Sequence, residues 1–167
     1  KDSCGSILTA CEIAAWCKAN GKTPYEYLID IYKEVGLYYE GLINVVRKGR
    51  EGAEQIQQMM KDFRENPPKE IAGSPVAEIR DYKEQTKLWV SENKTEAMAD
   101  IPKSNVLIFY TEEGTKVCVR PSGTEPKIKF YVSVKENIAS TEDFRTQIKA
   151  LEQKINEVKK ALGLNDE

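Results

Sequence analysis

The sequence predicts an α+β domain, a mainly antiparallel sheet with two helices on one face, preceded by two further helices. Three observations carry this. Residues 115–120 and 127–134 alternate apolar and polar with a tight turn between them, which is the pattern of two half-buried strands. A closing helix places Phe144, Ile148, Leu151, Ile155, Val158 and Leu162 at spacings of three and four before Gly163. From residue 37 on, the element order reads strand, helix, strand, hairpin, strand, helix, and a sheet with one apolar face needs helices to cover it.

Taken in order, the first helix runs from Asp2 to Lys18, with Ile7, Leu8, Cys11, Ala14 and Ala15 on its apolar side and Asn20-Gly21 as its end. The second is sharply marked. Thr23 is its N-cap, Pro24 suits the first helical position, Glu26 completes a Thr-x-x-Glu capping box, and Gly36 stops the last turn. Leu37 to Arg47 is rich in β-formers and reads as a strand. Gly49 to Asn66 reads as a helix with Ala53, Ile56, Met59 and Phe63 on one side, halted by Pro67-Pro68.

Ser74 to Tyr82 is the second strand, with Val76, Ile79 and Tyr82 only partly in phase. Residues 83–100 are charged and lack periodicity, so they read as an excursion with at most a short helix, and as the most mobile internal segment. Asn105 to Tyr110 and Thr115 to Arg120 form a hairpin around Glu112-Glu113-Gly114. Ser140 or Thr141 caps the closing helix, which is expected to lie on the sheet rather than form a coiled coil.

The turn at Arg120-Pro121-Ser122-Gly123-Thr124-Glu125-Pro126-Lys127 gathers what a protein needs to hold an anion. Arg120 offers a planar fork of donors, Ser122 and Thr124 offer hydroxyls, and Gly123 permits a close backbone approach or a positive φ. Two prolines stiffen the loop, so less entropy is lost on binding. Lys127 and Lys129 share the polar face of the following strand, which brings three cations to one end of the sheet. Spacing alone fits a solvated polar hairpin equally well, since surface lysines are common; the Ser-Gly-Thr turn fed by an arginine favours the anion.

Composition narrows the field further. With 25 basic and 27 acidic residues and a pI near 5.5, the chain has no bulk attraction to nucleic acid or to a membrane surface. No apolar run approaches the roughly 20 residues of a bilayer span and no signal-peptide pattern opens the chain, so a cytoplasmic protein is expected. There is no histidine to act as a base at neutral pH and no Asp-x-Asp-x-Asp pattern. Cys4, Cys11, Cys17 and Cys118 form no Cys-x-x-Cys pair, and all four read as buried thiols.

The run Val119 to Tyr131, VRPSGTEPKIKFY, resembles the C-terminal phosphate-binding motif of the α-D-phosphohexomutases, the phosphoglucomutase and phosphomannomutase family. Looser resemblance covers Tyr25 to Pro68, residues 101–107 and the closing helix. It implies that residues 1–36 are the helical end of the family's third domain with its hinge, and 37–167 the fourth, a fold similar to that of the TATA-binding protein. Such topology carries no implication of DNA binding. Because the chain has 167 residues and opens on Lys1-Asp2-Ser3, it is expected to be part of a longer enzyme. The first domain with its phosphorylated serine, the second with its Mg2+ loop and most of the third with its sugar-selecting loop would lie outside it.

The resemblance implies a parent that moves a phosphoryl group between the 1- and 6-positions of a hexose, with this domain holding the passive phosphate of the hexose phosphate. It assigns Arg120 as bidentate clamp, Ser122, Gly123 and Thr124 as neutral donors and Lys129 as second cation. Family members often carry arginine at the position of Lys129. Glu125 and Lys127 are further candidates, Glu125 either pairing with a loop cation or reaching sugar hydroxyls. No catalytic residue and no metal ligand falls in the chain, so alone it is expected to be inactive, with domains 1–3 as its partners and Mg2+ as the whole enzyme's cofactor. A phosphoglucomutase-like member is favoured. The rival reading is a stand-alone, non-catalytic phosphate-binding or interaction module.

Overall fold

The computed structural model describes residues 2–138 and 143–164, so the helix cap expected at Ser140 or Thr141 lies outside the described residues. Two compact units emerge: residues 1–38 with 136–149, and residues 39–135 with 150–167.

In the first unit, α1 (Ser3–Ala19) is capped by Asp2, whose carboxylate accepts the Gly5 N–H at 2.9 Å. Asn20 and Gly21 end it, Gly21 at φ 68°. Helix α2 (Pro24–Val35) carries the expected capping box: the Glu26 N–H donates to Thr23 Oγ1 and the Thr23 N–H donates to Glu26 Oε2 at 2.7 Å. That contact, ahead of the Thr23 hydroxyl, holds the Glu26 carboxyl below the ordinary glutamate range. Gly36 closes the helix at φ 96°.

The two helices meet near the C-terminal end of α1, where Trp16 and Tyr27 rings lie 4.9 Å apart and Cys17 is fully buried. Cys4 and Cys11, up to four turns away, are exposed, and Cys118 is half-buried, so only Cys17 is the buried thiol expected. Ile7 and Leu8, expected on an apolar side, are likewise 63% and 68% exposed. Helical spacing identified a stripe without supplying anything to cover it.

An eight-stranded sheet organises the second unit in the order β1-β8-β7-β6-β3-β4-β5, with β2 (Glu70–Ile71) attached to β3. Strand β1 (Leu37–Val46) leads into α3 (Gly49–Glu65), and β3 (Ser74–Asp81) pairs antiparallel with both β4 and β6 (Leu107–Thr111). Strands β7 (Lys116–Pro121) and β8 (Lys127–Glu136) follow, then α4 (Phe144–Ala161). Ile128, Phe130, Val132 and Val134 alternate inward and are wholly buried, as are Val117 and Val119 opposite them. The fold is α+β, as the sequence predicts.

Helix α3 covers this apolar face through Phe63, whose ring packs 6.1 Å from Phe109 and 5.9 Å from Phe130. Its inward stripe is Gly52, Ile56 and Met60 rather than Ala53, Ile56 and Met59; Ala53 is exposed and Met59 only half-buried. The contact surface of α3 is thus rotated by about one residue from the expected one, which the adjacent methionines disguise. The second half of α4 lies on the sheet, with Leu151 and Val158 fully buried and Ile155 against Gly41 of β1.

Gly52 makes a close approach that sequence does not reveal. A Cβ there would stand 2.6 Å from the carbonyl carbon of Arg47 and 2.7 Å from its Cβ. In a helix interior Gly→Ala normally stabilises by about 0.5–1 kcal/mol, but here backbone must move. Gly52→Ala is therefore expected to destabilise by about 1–3 kcal/mol, measured by urea unfolding; a gain in stability would show that the contact is loose.

The irregular excursion expected at 83–100 is instead a hairpin. Thr86–Trp89 (β4) pairs with Lys94–Ala97 (β5), extending the sheet at its far edge. Asn93 at φ 48° and Gln85 at φ 56° accommodate its reversals. Trp89 is sheathed by Lys87, whose Nζ stands 3.7 Å from the ring centre, and Lys87 also lies 3.6 Å from Glu78. Charged side chains of this kind guard an edge, and they erase the alternation that would announce a strand.

Candidate functional site

The site forms where β7 hands over to β8. Antiparallel register places Arg120 directly opposite Lys129 and Cys118 opposite Tyr131 on the face of the sheet that turns away from Val119 and Phe130. Arg120 is exposed and Lys129 half-exposed, and neither has an ion-pair partner among the described residues. Like charges directly opposite across two strands repel, and an anion between them removes that penalty.

The turn is built by its own backbone. The Ser122 N–H donates to the Lys127 carbonyl at 2.8 Å, the Lys127 N–H donates to the Glu125 carbonyl at 2.7 Å, and the Glu125 N–H donates to Ser122 Oγ at 3.3 Å. Ser122 Oγ accepts there, so its own O–H remains free to donate toward a ligand. Gly123 is not among the glycines at positive φ, and a Cβ on it would meet nothing within 4 Å. Of the two roles expected for Gly123, the turn therefore uses only the open space above it, which leaves the backbone N–H approachable.

A cavity of about 430 Å3 fills this corner, lined by Arg120, Pro121, Ser122, Gly123, Thr124, Glu125, Lys127, Lys129 and Tyr131. The structure thus brings together every residue singled out from the sequence at this turn. Glu125 and Lys127 form an ion pair with each other. That hydrogen bond and charge, with a smaller contribution from Lys129, hold the Glu125 carboxyl below the ordinary range. Lys127 is thereby neutralised within the loop, and Arg120 and Lys129 are the cations left for a ligand.

Tyr131 is the lining residue that sequence reasoning passed over. The signal was available: it lies two residues beyond Lys129, hence on the same side of β8. Beside it, burial pushes the Cys118 thiol up, partly opposed by Lys116 and Arg120. Among the described residues no three acidic, thiol or imidazole groups converge as a metal-ligand set.

A larger groove of about 610 Å3 runs between β1 and α4. Within it the Tyr39 hydroxyl donates to Glu152 at 3.0 Å, which raises the Tyr39 phenol. Its lining carries two carboxylates, Glu40 and Glu152, against one cation, Lys159, so it is less suited to an anion than the turn at 120–127. No helix among the described residues is long and apolar enough to cross a membrane.

Comparison with known proteins identifies relatives of the chain. The sequence profile of the phosphoglucomutase/phosphomannomutase C-terminal domain matches residues 42–151. The phosphoglucomutase of Staphylococcus aureus (strain MRSA252) is 39% identical over 135 residues, 81% of this chain and 24% of that protein. The phosphoglucomutase of Staphylococcus haemolyticus (strain JCSC1435) is 42% identical over 117 residues, 70% of this chain and 21% of that protein. The chain thus spans about a quarter of the length of these relatives. Among solved structures, the open form of the exocytosis-sensitive phosphoprotein pp63/parafusin from Paramecium, a phosphoglucomutase, aligns with a TM-score of 0.41 at 14% identity, over 86% of this chain and 24% of that one. With the turn at 120–127, the second half of β1, α3, strands β2 to β8 and the first half of α4 inside the matched profile, the chain belongs to the phosphoglucomutase/phosphomannomutase family and carries its C-terminal domain.

Proposed function

We propose that this domain holds the substrate phosphate of an intramolecular phosphotransferase that interconverts hexose 1-phosphate and hexose 6-phosphate. The observation that carries the proposal is the unpaired Arg120–Lys129 opposition beside a turn of free donors. Arg120 takes two phosphate oxygens through its fork and Lys129 supplies a second charge without a fixed direction. Ser122 Oγ, Thr124 Oγ1 and the backbone N–H groups of Gly123 and Thr124 complete the cradle, while the Ser122 N–H stays on the Lys127 carbonyl and Glu125 keeps Lys127 in place. Holding the passive phosphate fixes one end of the sugar while the other reacts, so that binding energy becomes positioning.

Nothing in this site transfers the phosphoryl group. The one carboxylate lining the cavity with Ser122, that of Glu125, is committed to Lys127, and no metal-ligand set is formed by the described residues. The nucleophile and the Mg2+ that would neutralise developing charge belong, in this reading, to the other domains of a cytoplasmic enzyme, with glucose phosphates as favoured substrates. The chain alone is therefore expected to give only background turnover in a coupled mutase assay with Mg2+ and a hexose bisphosphate.

Titration of the chain with inorganic phosphate, followed by amide NMR, tests the binding role. Saturable shifts confined to residues 119–129 at millimolar phosphate are expected. No movement of those amides would overturn the proposal.

A further inference from the structure

The cavity at the phosphate turn does not end at its cations. Along β8 the same face carries Lys129 and then Tyr131, which is 38% exposed and lines the cavity with Arg120 and Ser122. Two residues along a strand separate these side chains by about 6.6 Å, a distance on the scale of one pyranose ring. Opposite Tyr131 stands the half-buried Cys118, so next to the Arg120–Lys129 pair the two strands carry an aromatic ring and a small side chain in place of two cations. Among the described residues the Tyr131 hydroxyl has no hydrogen-bond partner and its ring no aromatic or cationic partner. By contrast, Tyr110 on the neighbouring stretch of this face is covered by Arg80, 4.8 Å from its ring centre.

An exposed, uncommitted aromatic ring beside an anion cradle, backed by a small side chain, offers a flat platform with one polar tip. We propose that Tyr131 is a specificity-determining residue that receives the body of the phosphorylated ligand, packing its ring against the carbon face of a sugar while Arg120 and Lys129 hold the phosphate. This rests on the phosphate-holding role argued above. Bare phosphate would then use only half of the site, and a phosphomonoester without a ring would gain little over it.

Binding of inorganic phosphate, glycerol 3-phosphate and glucose 6-phosphate to the chain and to Tyr131→Ala and Tyr131→Phe, measured by amide NMR, tests the assignment. Glucose 6-phosphate is expected to bind about two- to tenfold more tightly than glycerol 3-phosphate, the range of one aromatic contact. Tyr131→Ala is expected to abolish that ratio and leave the affinity for inorganic phosphate unchanged, while Tyr131→Phe retains it. If inorganic phosphate binds at the turn but glucose 6-phosphate has no advantage, or keeps it in Tyr131→Ala, the role of Tyr131 is wrong and the phosphate site stands. If inorganic phosphate does not bind, the phosphate-holding role itself fails. A loss of all three ligands in Tyr131→Ala with an unchanged fold would make Tyr131 part of the anion cradle and overturn the division proposed.

Discussion

Asp81→Ala is expected to lower the unfolding free energy by about 3 kcal/mol and the melting temperature by about 10 °C. Asp81 ends β3 largely buried, with its side chain 11% exposed. Its carboxylate accepts Arg64 Nε at 2.7 Å and the backbone N–H groups of Lys83 and Glu84 at 2.9 and 3.3 Å. Arg64, near the end of α3, is itself only 16% exposed and also donates to Asn105 at 2.7 Å and to the Met60 carbonyl at 3.3 Å. Removing the acid leaves a nearly buried guanidinium without its counter-charge, which costs more than the pair contributes when intact. Removing both partners should then cost less than the sum of the single changes. The same carboxylate organises the β3–β4 turn, so the loss should also loosen the 86–97 hairpin. A change under 0.5 kcal/mol in Asp81→Ala would mean that water, and not Arg64, satisfies this corner.

Arg120→Ala is expected to abolish measurable phosphate binding while leaving stability within about 0.5 kcal/mol of the parent. A charge-assisted hydrogen bond contributes about 1.5–3 kcal/mol, each roughly a tenfold or larger factor in affinity, and a bidentate arginine forms two. Among the described residues its exposed side chain has no partner to lose. Arg120→Lys should recover only part of the affinity, because a point charge cannot present a fork. Retention of binding in Arg120→Ala would shift the clamp to Lys129 and the turn backbone.

Much of this could be read from local signals. The α2 capping box needs only four residues, and the buried row Ile128, Phe130, Val132 and Val134 announces its own face through alternation. Arg120, Ser122, Gly123, Thr124 and Lys129 were legible as a group because a short turn between two paired strands leaves them nowhere else to go. What escaped depends on distant partners. Strands β4 and β5 are four residues each, at the sheet edge, and present Lys87, Lys94 and Glu96 where alternation would require apolar groups. Met60 displaced Met59 because α3 is oriented by Phe109 and Phe130, which lie far along the chain. Glu125 could have faced ligand or loop, and its pairing with Lys127 is a choice between side chains that spacing does not encode.

The central claim is that Arg120 and Lys129, facing each other across β7 and β8, are the two cations of a phosphate cradle closed by residues 122–124. A crystal structure of the chain grown with phosphate tests it most directly. The account predicts one tetrahedral anion within hydrogen-bonding distance of the Arg120 guanidinium and of the Gly123 and Thr124 backbone N–H groups, with Lys129 Nζ turned toward it and the Glu125–Lys127 pair intact. Phosphate bound elsewhere, with this turn free of it, would contradict the account.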